Sequence, residues 1–129
     1  MRALALLVAG GLALAGCGGS GDEDAVRDAL TEYTEAITVG DGKTACARMT
    51  VPLQETIMNA MPHASDCIEA VAQIDTGPDD KRGELSIDGV VVDGDTARAS
   101  VAMGGGAGTR HTLRRVDGDW RVDVSPTEG

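Results

Sequence analysis

The chain has 129 residues and a formal net charge of −10, with 21 acidic against 11 basic side chains. That length suits one domain, and such acidity speaks against nucleic acid, whose binding needs a cationic surface to displace counterions. Phe is absent and Tyr33 and Trp120 are the only aromatics, so the core must be built from Ala, Val, Leu, Ile and Met, which limits the area it can bury.

Residues 1–16 have the pattern of a leader. Arg2 precedes an apolar run from Ala3 to Ala15, shorter than the roughly 20 residues that cross ~30 Å of hydrocarbon, and the run ends in small residues as a processed signal does. Leu14-Ala15-Gly16-Cys17 resembles the bacterial lipobox. The resemblance implies a diacylglyceryl group on the Cys17 thiol and cleavage that leaves Cys17 as the new N-terminus. It also implies a location on the extracytoplasmic face of the cell membrane, with the lipid bilayer as a partner through acyl chains on Cys17. Two chains hold a protein to the bilayer where one binds reversibly, each buried CH₂ contributing about 0.8 kcal/mol. An uncleaved anchor and an ordinary secretory signal with a chance cysteine are the competing readings.

On this reading residues 17–21 are the lipidated cysteine and a flexible tether, 22–125 a single folded domain and 126–129 a tail. Loss of Arg2 makes the domain one unit more acidic still, so anionic headgroups repel it and the acyl chains do the anchoring. Cys46 and Cys67 remain, an even number in an oxidising compartment, and are expected to pair. Two buried free thiols or a redox pair are the alternatives, though the C-x-x-C spacing that tunes a redox pair is missing.

In chain order, the first helix is the clearest element. Ser20 and Glu23 have capping-box spacing, and Asp22, Glu23 and Asp24 suit a helix N-terminus. Val26, Ala29, Leu30, Tyr33, Ala36 and Ile37 then share one face, and Gly40 supplies the stop. Asp41 caps a short second helix through Met49, with Ala45 and Cys46 inward. Pro52 suits the first turn of a third, whose apolar face is Leu53, Ile57, Met58 and Met61; Pro62 ends it. A fourth, opened near Ser65, carries Cys67, Ile68, Val71 and Ala72. After a loop from Thr76 to Gly83 the period becomes alternating. Leu85, Ile87 and Val91 share a face against Ser86, Asp88 and Val90, with Gly89 a weak or bulged point. Asp93-Gly94 is a hairpin signal. Thr96 to Met103 puts Ala97, Ala99, Val101 and Met103 on one face. A glycine-rich break over 104–108, a third strand over 109–116, a turn at Asp117-Gly118 and a last strand marked by Trp120, Val122 and Val124 complete an α+β layout, helices first and an antiparallel meander second.

The long amphipathic helix, then Gly40-Asp41 and Ala45-Cys46, and the hairpins closing with Val116-Asp117-Gly118-Asp119-Trp120-Arg121-Val122 together resemble the nuclear transport factor 2-like (SnoaL-like) family, as found in extracytoplasmic lipoproteins of actinobacteria. The likeness spans Asp22 to Val124. It implies helices packed on a curved antiparallel sheet that encloses a cone-shaped pocket. Members include isomerases, cyclases and dehydratases as well as proteins without known activity, so the fold leaves function open.

No motif fixes a reaction. Gly42-Lys43-Thr44 imitates the end of a phosphate-binding loop, but the glycine required five residues earlier is Ile37. The run from Gly104 to Gly108 precedes a strand and not a helix N-terminus. Val92-Asp93-Gly94-Asp95 and Val116-Asp117-Gly118-Asp119 lack the distal bidentate Glu of a calcium loop and read as hairpin turns. No His, Cys or carboxylate cluster has metal-ligand spacing, and no cofactor or catalytic residue is assigned. His63 belongs to a helix junction. His111 shares parity with Leu113 and, as an acid or base, would need a partner such as Tyr33 or Glu69. Tyr33, His111 and Trp120 are the candidates to line a pocket, Tyr33 and Trp120 reading first as core. Arg110, Arg114, Arg115 and Arg121 read as a solvated sheet face, with contact to a small anion or a partner as the alternative.

The anchor, the cysteine pair and the missing catalytic set favour non-enzymatic binding of a small apolar ligand or an envelope protein through the cone. An isomerase-, cyclase- or dehydratase-type enzyme and a structural or interaction domain are the other readings. A sheet face filled by the protein's own side chains would count against a ligand held in the cone.

Overall fold

The computed structural model describes residues 20–74 and 83–125. The leader, Cys17, most of the loop after the helices, the tail and the side chain of Ser20 with its expected capping box lie outside that part. The described chain is α+β. Helices α1 (Ser20–Val39), α2 (Gly42–Ala47), α3 (Val51–Ala60) and α4 (Cys67–Ala72) precede strands β1 (Leu85–Asp93), β2 (Thr96–Met103), β3 (Thr109–Val116) and β4 (Asp119–Asp123). The strands form one open antiparallel sheet in the order β1-β2-β3-β4.

Helix α1 already includes Ser20 and Gly21, which the sequence reading gives to the tether; Asp22 and Glu23 in its first turn complement the helix dipole and favour the earlier start. Its stripe of Val26, Ala29 and Leu30 is buried against Ala97, Ala99, Val101, Leu113, Trp120 and Val122 of the sheet. It ends as expected at Gly40, where φ is +75°. The Asp41 N–H donates to the Ala36 carbonyl at 2.8 Å and the Gly40 N–H to that of Ile37 at 3.3 Å, the Schellman pattern.

The short helices form a second, smaller core. Ala36, Ala45, Cys46, Met49, Cys67 and Val71 are buried together, and Cys46 and Cys67 are joined by a disulfide with Cα atoms 6.2 Å apart. Asp41 caps α2, accepting from the Thr44 N–H at 3.2 Å, and α2 stops at Ala47 rather than running to Met49. Thr50, not foreseen, caps α3 and places Pro52 in its first turn. In α4 the buried residues are Cys67, Ala70 and Val71, while Ile68 is half exposed and Ala72 exposed, because six residues allow only a narrow inward stripe. Helices α2 and α4 touch backbone to backbone. A Cβ built on Gly42 would lie 2.8 Å from the Ile68 Cα, closer than atoms can pack.

The segment after α2 covers one sheet edge. The Val122 N–H donates to the Arg48 carbonyl at 2.7 Å and the Thr50 N–H to that of Val122 at 2.9 Å, making a parallel bridge between Met49 and Val122. This pairs part of a β4 edge that would otherwise present free backbone groups. The Thr50 hydroxyl donates to Asp123 at 2.7 Å.

Strand β1 corrects the expected alternation. Its ladder slips between Asp88 and Val91, with Gly89 at φ +63°. One extra residue sits there, as in a β-bulge. Asp88 and Gly89 both face outward, so Val90 and Val92 pack on the core with Leu85 and Ile87, and Val91 is 50% exposed. The two identical tetrapeptides consequently turn differently. In the second hairpin Val116 pairs with Asp119, leaving Asp117 and Gly118 as loop residues at φ 52° and 84°, as type I′ requires. In the first, Asp93 pairs with Thr96, so Gly94 and Asp95 form the loop and only Gly94 has positive φ, as the first central residue of a type II′ turn does. Val92 faces the helices, so the Val92–Asp95 equivalent of the Val116–Asp119 pair would put a carboxylate on the core side. A turn one residue later keeps Asp95 in water.

The arginines divide between the two faces. Arg110, Arg114 and Arg121 lie on the outer face, but Arg115 shares the inner parity of Leu113 and opposes Trp120. Its guanidinium carbon sits 4.6 Å from the Trp120 ring centroid, and it reaches Asp22 of α1 at 3.2 Å.

Candidate functional site

The structure brings two of the three candidate pocket residues together. Tyr33 on α1 and His111 on β3 meet edge to face, their ring centroids 6.2 Å apart at 68°. His111 Nδ1 lies 3.1 Å from the Thr109 carbonyl. Tyr33 also packs against both cores. Trp120 is elsewhere, 4% exposed under Arg115, four residues or roughly 13 Å along β3 from His111 at ~3.3 Å per residue. Glu69 is no partner for His111. It stands on α4 and accepts from the Ser65 N–H at 3.0 Å and from the Ser65 hydroxyl, bonds that lower its pKa. His63 is exposed at the α3–α4 junction.

Burial raises the Tyr33 pKa above its ordinary 10.0. A neutral phenol is thus favoured in the fold and its ionisation in the unfolded chain. The stabilisation this carries is fully present below pH ~10 and is lost as pH rises through the folded value. Because Tyr33 is the only tyrosine, its ultraviolet ionisation band reports it alone. A folded midpoint above that of the urea-unfolded chain, with stability declining from about pH 10 upward, is expected; coincident midpoints would contradict the burial.

A concavity that is mainly apolar lies away from these rings. It is a surface cleft of about 420 Å³ between the C-terminal half of α1, the start of α2 and the ends of β1 and β2. Ala36, Val39, Leu85 and Met103 supply its apolar lining, and Glu32, Glu35 and Asp41 bring carboxylates to it. Three sequence features build it. Val39 is the last residue of α1 and falls off the buried stripe, so it stands 75% exposed. Leu85 and Met103 form the terminal pair of the β1–β2 ladder. Asp41 is fixed by capping α2, and hydrogen bonding from Thr44 lowers its pKa, keeping it charged.

Glu32 pairs with Arg48 at 2.8 Å, whereas Glu35 has no ion pair among the described residues. Among the described lining residues there is no histidine, cysteine or serine. The lining offers contact area for an apolar group and acceptors for a donor or cation. Ala36, Asp41, Leu85 and Met103 enter the sequence reading as structural positions, and none of the lining residues is among its pocket candidates. The available signal was an apolar residue placed at a helix stop, outside the helix's own core stripe.

Between the helices and the sheet the core side chains named above are buried against one another. Neither this cleft nor a second one on the outer sheet face is lined by Tyr33, His111 or Trp120. Among the described residues no three His, Cys, Asp or Glu side chains group as a metal would require, and no helix is long and apolar enough to cross a membrane. Comparison of the chain with family models, with curated proteins and with solved structures returns no match.

Proposed function

We propose that the protein is a non-enzymatic binding lipoprotein, held through acyl chains on Cys17 at the extracytoplasmic face of the cell membrane, that takes a small apolar ligand or an apolar segment of an envelope partner. The observation carrying this reading is the cleft of about 420 Å³, whose lining is mostly hydrophobic. Exposed side chains such as Val39 gain by covering, roughly 25 cal/mol for each Å² removed from water. The ligand sits on the outside of the helix–sheet layer, since the inner face is occupied by Leu30, Leu113, Trp120 and Val122. That is a different place from the cone interior expected from sequence.

The finer fold assignment belongs to the same proposal. A long first helix, short helices and a four-stranded meander with the helices on one face support kinship with the nuclear transport factor 2-like group, in a reduced form whose cone is closed by packing. The disulfide between Cys46 and Cys67 supports an oxidising compartment.

The test uses N-phenyl-1-naphthylamine, a neutral apolar fluorophore, titrated into the full chain and into Val39→Glu. Saturable binding at one site per chain, weakened about tenfold in the variant or ~1.4 kcal/mol, is expected. Equal binding by both proteins would remove the cleft from consideration. The address is tested separately. Intact mass of the membrane fraction should show a diacylglyceryl-modified chain beginning at Cys17, and Cys17→Ser should leave that fraction.

A further inference from the structure

With 21 acidic side chains for 11 basic ones, every arginine has carboxylates to choose from, so arginines left without one are informative. Four share the outer face of the sheet: Arg98 on β2, Arg110 and Arg114 on β3, and Arg121 on β4. Arg114 and Arg121 stand directly opposite each other, a pairing of like charges that works against the sheet. Arg114 reaches Asp123 at 3.4 Å, while Nε of Arg121 is shielded from solvent without a hydrogen-bond partner. Arg98 and Arg110 have no ion pair among the described residues.

Those two arginines are diagonal neighbours, because Arg98 pairs with Thr112 and Arg110 with Ser100. Such positions lie about 7–8 Å apart, within mutual reach of long side chains. They flank a cleft of about 300 Å³ that Ser100, Val91, Gly89 and Asp88 also line. The bulge shapes this cleft, since Gly89 adds no side chain and Val91 is turned outward to form a wall. Of the face's carboxylates, Asp123 is engaged by Thr50 and Arg114, and Asp93 and Asp119 stand at hairpin ends. Asp88, the one carboxylate in the cleft, accepts from the Ser86 hydroxyl at 3.0 Å. Two guanidinium groups therefore face one carboxylate.

We propose that this cleft binds a phosphate-type oxyanion, with Arg98 and Arg110 closing on it from adjacent strands and the Ser100 hydroxyl donating between them. A guanidinium presents parallel N–H donors at the spacing of two phosphate oxygens, and two forks from neighbouring strands hold one such group from both sides. The same contacts serve a soluble phosphate and the headgroup of an anionic phospholipid. The site is independent of the apolar cleft and of the lipid on Cys17.

The experiment titrates pyrophosphate into the full chain, following the arginine Nε–H resonances, and repeats it with R98Q/R110Q, both exposed positions, after an unchanged circular dichroism spectrum has verified that the variant is folded. Saturable shifts at Arg98 and Arg110 are expected in the wild type, with affinity at least tenfold lower in the variant and falling with added salt. Retention of the full chain on phosphatidylcholine vesicles is compared with retention on vesicles that also contain phosphatidylglycerol. A preference for the anionic vesicles that R98Q/R110Q loses assigns the headgroup as source. Pyrophosphate binding without that preference assigns a soluble phosphate. If neither probe engages the wild type, or the variant matches it with both, the proposal is overturned.

Discussion

Trp120→Ala is expected to lower the unfolding free energy by about 3–5 kcal/mol, the range for removing a buried large aromatic. The ring is 4% exposed and is the one large aromatic in a core otherwise made of Ala, Val and Leu. With no Phe in the chain, no neighbour can swing in to fill the space. The substitution also removes the face against which Arg115 rests at 4.6 Å, a contact of about 0.5–2 kcal/mol. Arg115 would keep Asp22, which moderates the loss. Urea unfolding followed by circular dichroism measures the change, since the variant lacks the fluorophore. Trp120→Phe should recover more than half of the loss, and a deficit under about 1 kcal/mol for the alanine variant would mean that the ring contributes little to the core.

Reduction of the Cys46–Cys67 bond should destabilise the protein by about 3 kcal/mol. The two cysteines are 21 residues apart, and closing a loop of that size removes roughly this much chain entropy from the unfolded state. The loss should concentrate in the helical layer. Helices α2 and α4 have six residues each, too few to be stable alone, and α3 has no fully buried residue. Denaturation midpoints with and without dithiothreitol give the magnitude, and amide exchange gives the location. Faster exchange at Ala45 and Ala70 ahead of the strand amides is the expected order. Identical midpoints in the two conditions would show that the bond adds nothing to stability.

Much of the framework was readable because it rests on local rules. The stripe of α1, its stop at Gly40 and the Asp41 cap each follow from side chains within a few residues of where they act. Of the three cysteines, Cys46 and Cys67 are the two expected to pair once Cys17 is set aside as the lipid site, and the fold joins them. What escaped depends on partners distant in sequence. Thr50 caps α3, yet it is held by Asp123, 73 residues away, and no local pattern announces that bond. Gly89 reads from sequence as a weak or bulged point, and the ladder makes it the bulge; the facing of Val90 and Val91 comes out inverted because the alternation is carried through it without counting the added residue. Arg115 looked like a surface charge, and its inward position is decided by the parity of Leu113 and by Trp120 on the next strand. The candidate site shows the same division. Periodicity puts Tyr33 and His111 each on an apolar face but leaves Tyr33 and Glu69 both open as partners of His111, and only the fold selects Tyr33. The apolar cleft likewise joins a helix end to strand ends more than 40 residues away, a meeting that only the folded chain supplies.

Gly89 behaves like an added beat in β1. Downstream of it each side chain is heard half a cycle late, and that delay decides why one Val-Asp-Gly-Asp phrase bends at its second and third letters and its twin at the third and fourth. Any alignment or redesign that scores this strand as one unbroken rhythm will assign the wrong residues to the interior from Val90 onward, and it will transfer the wrong loop between two hairpins that are spelled alike.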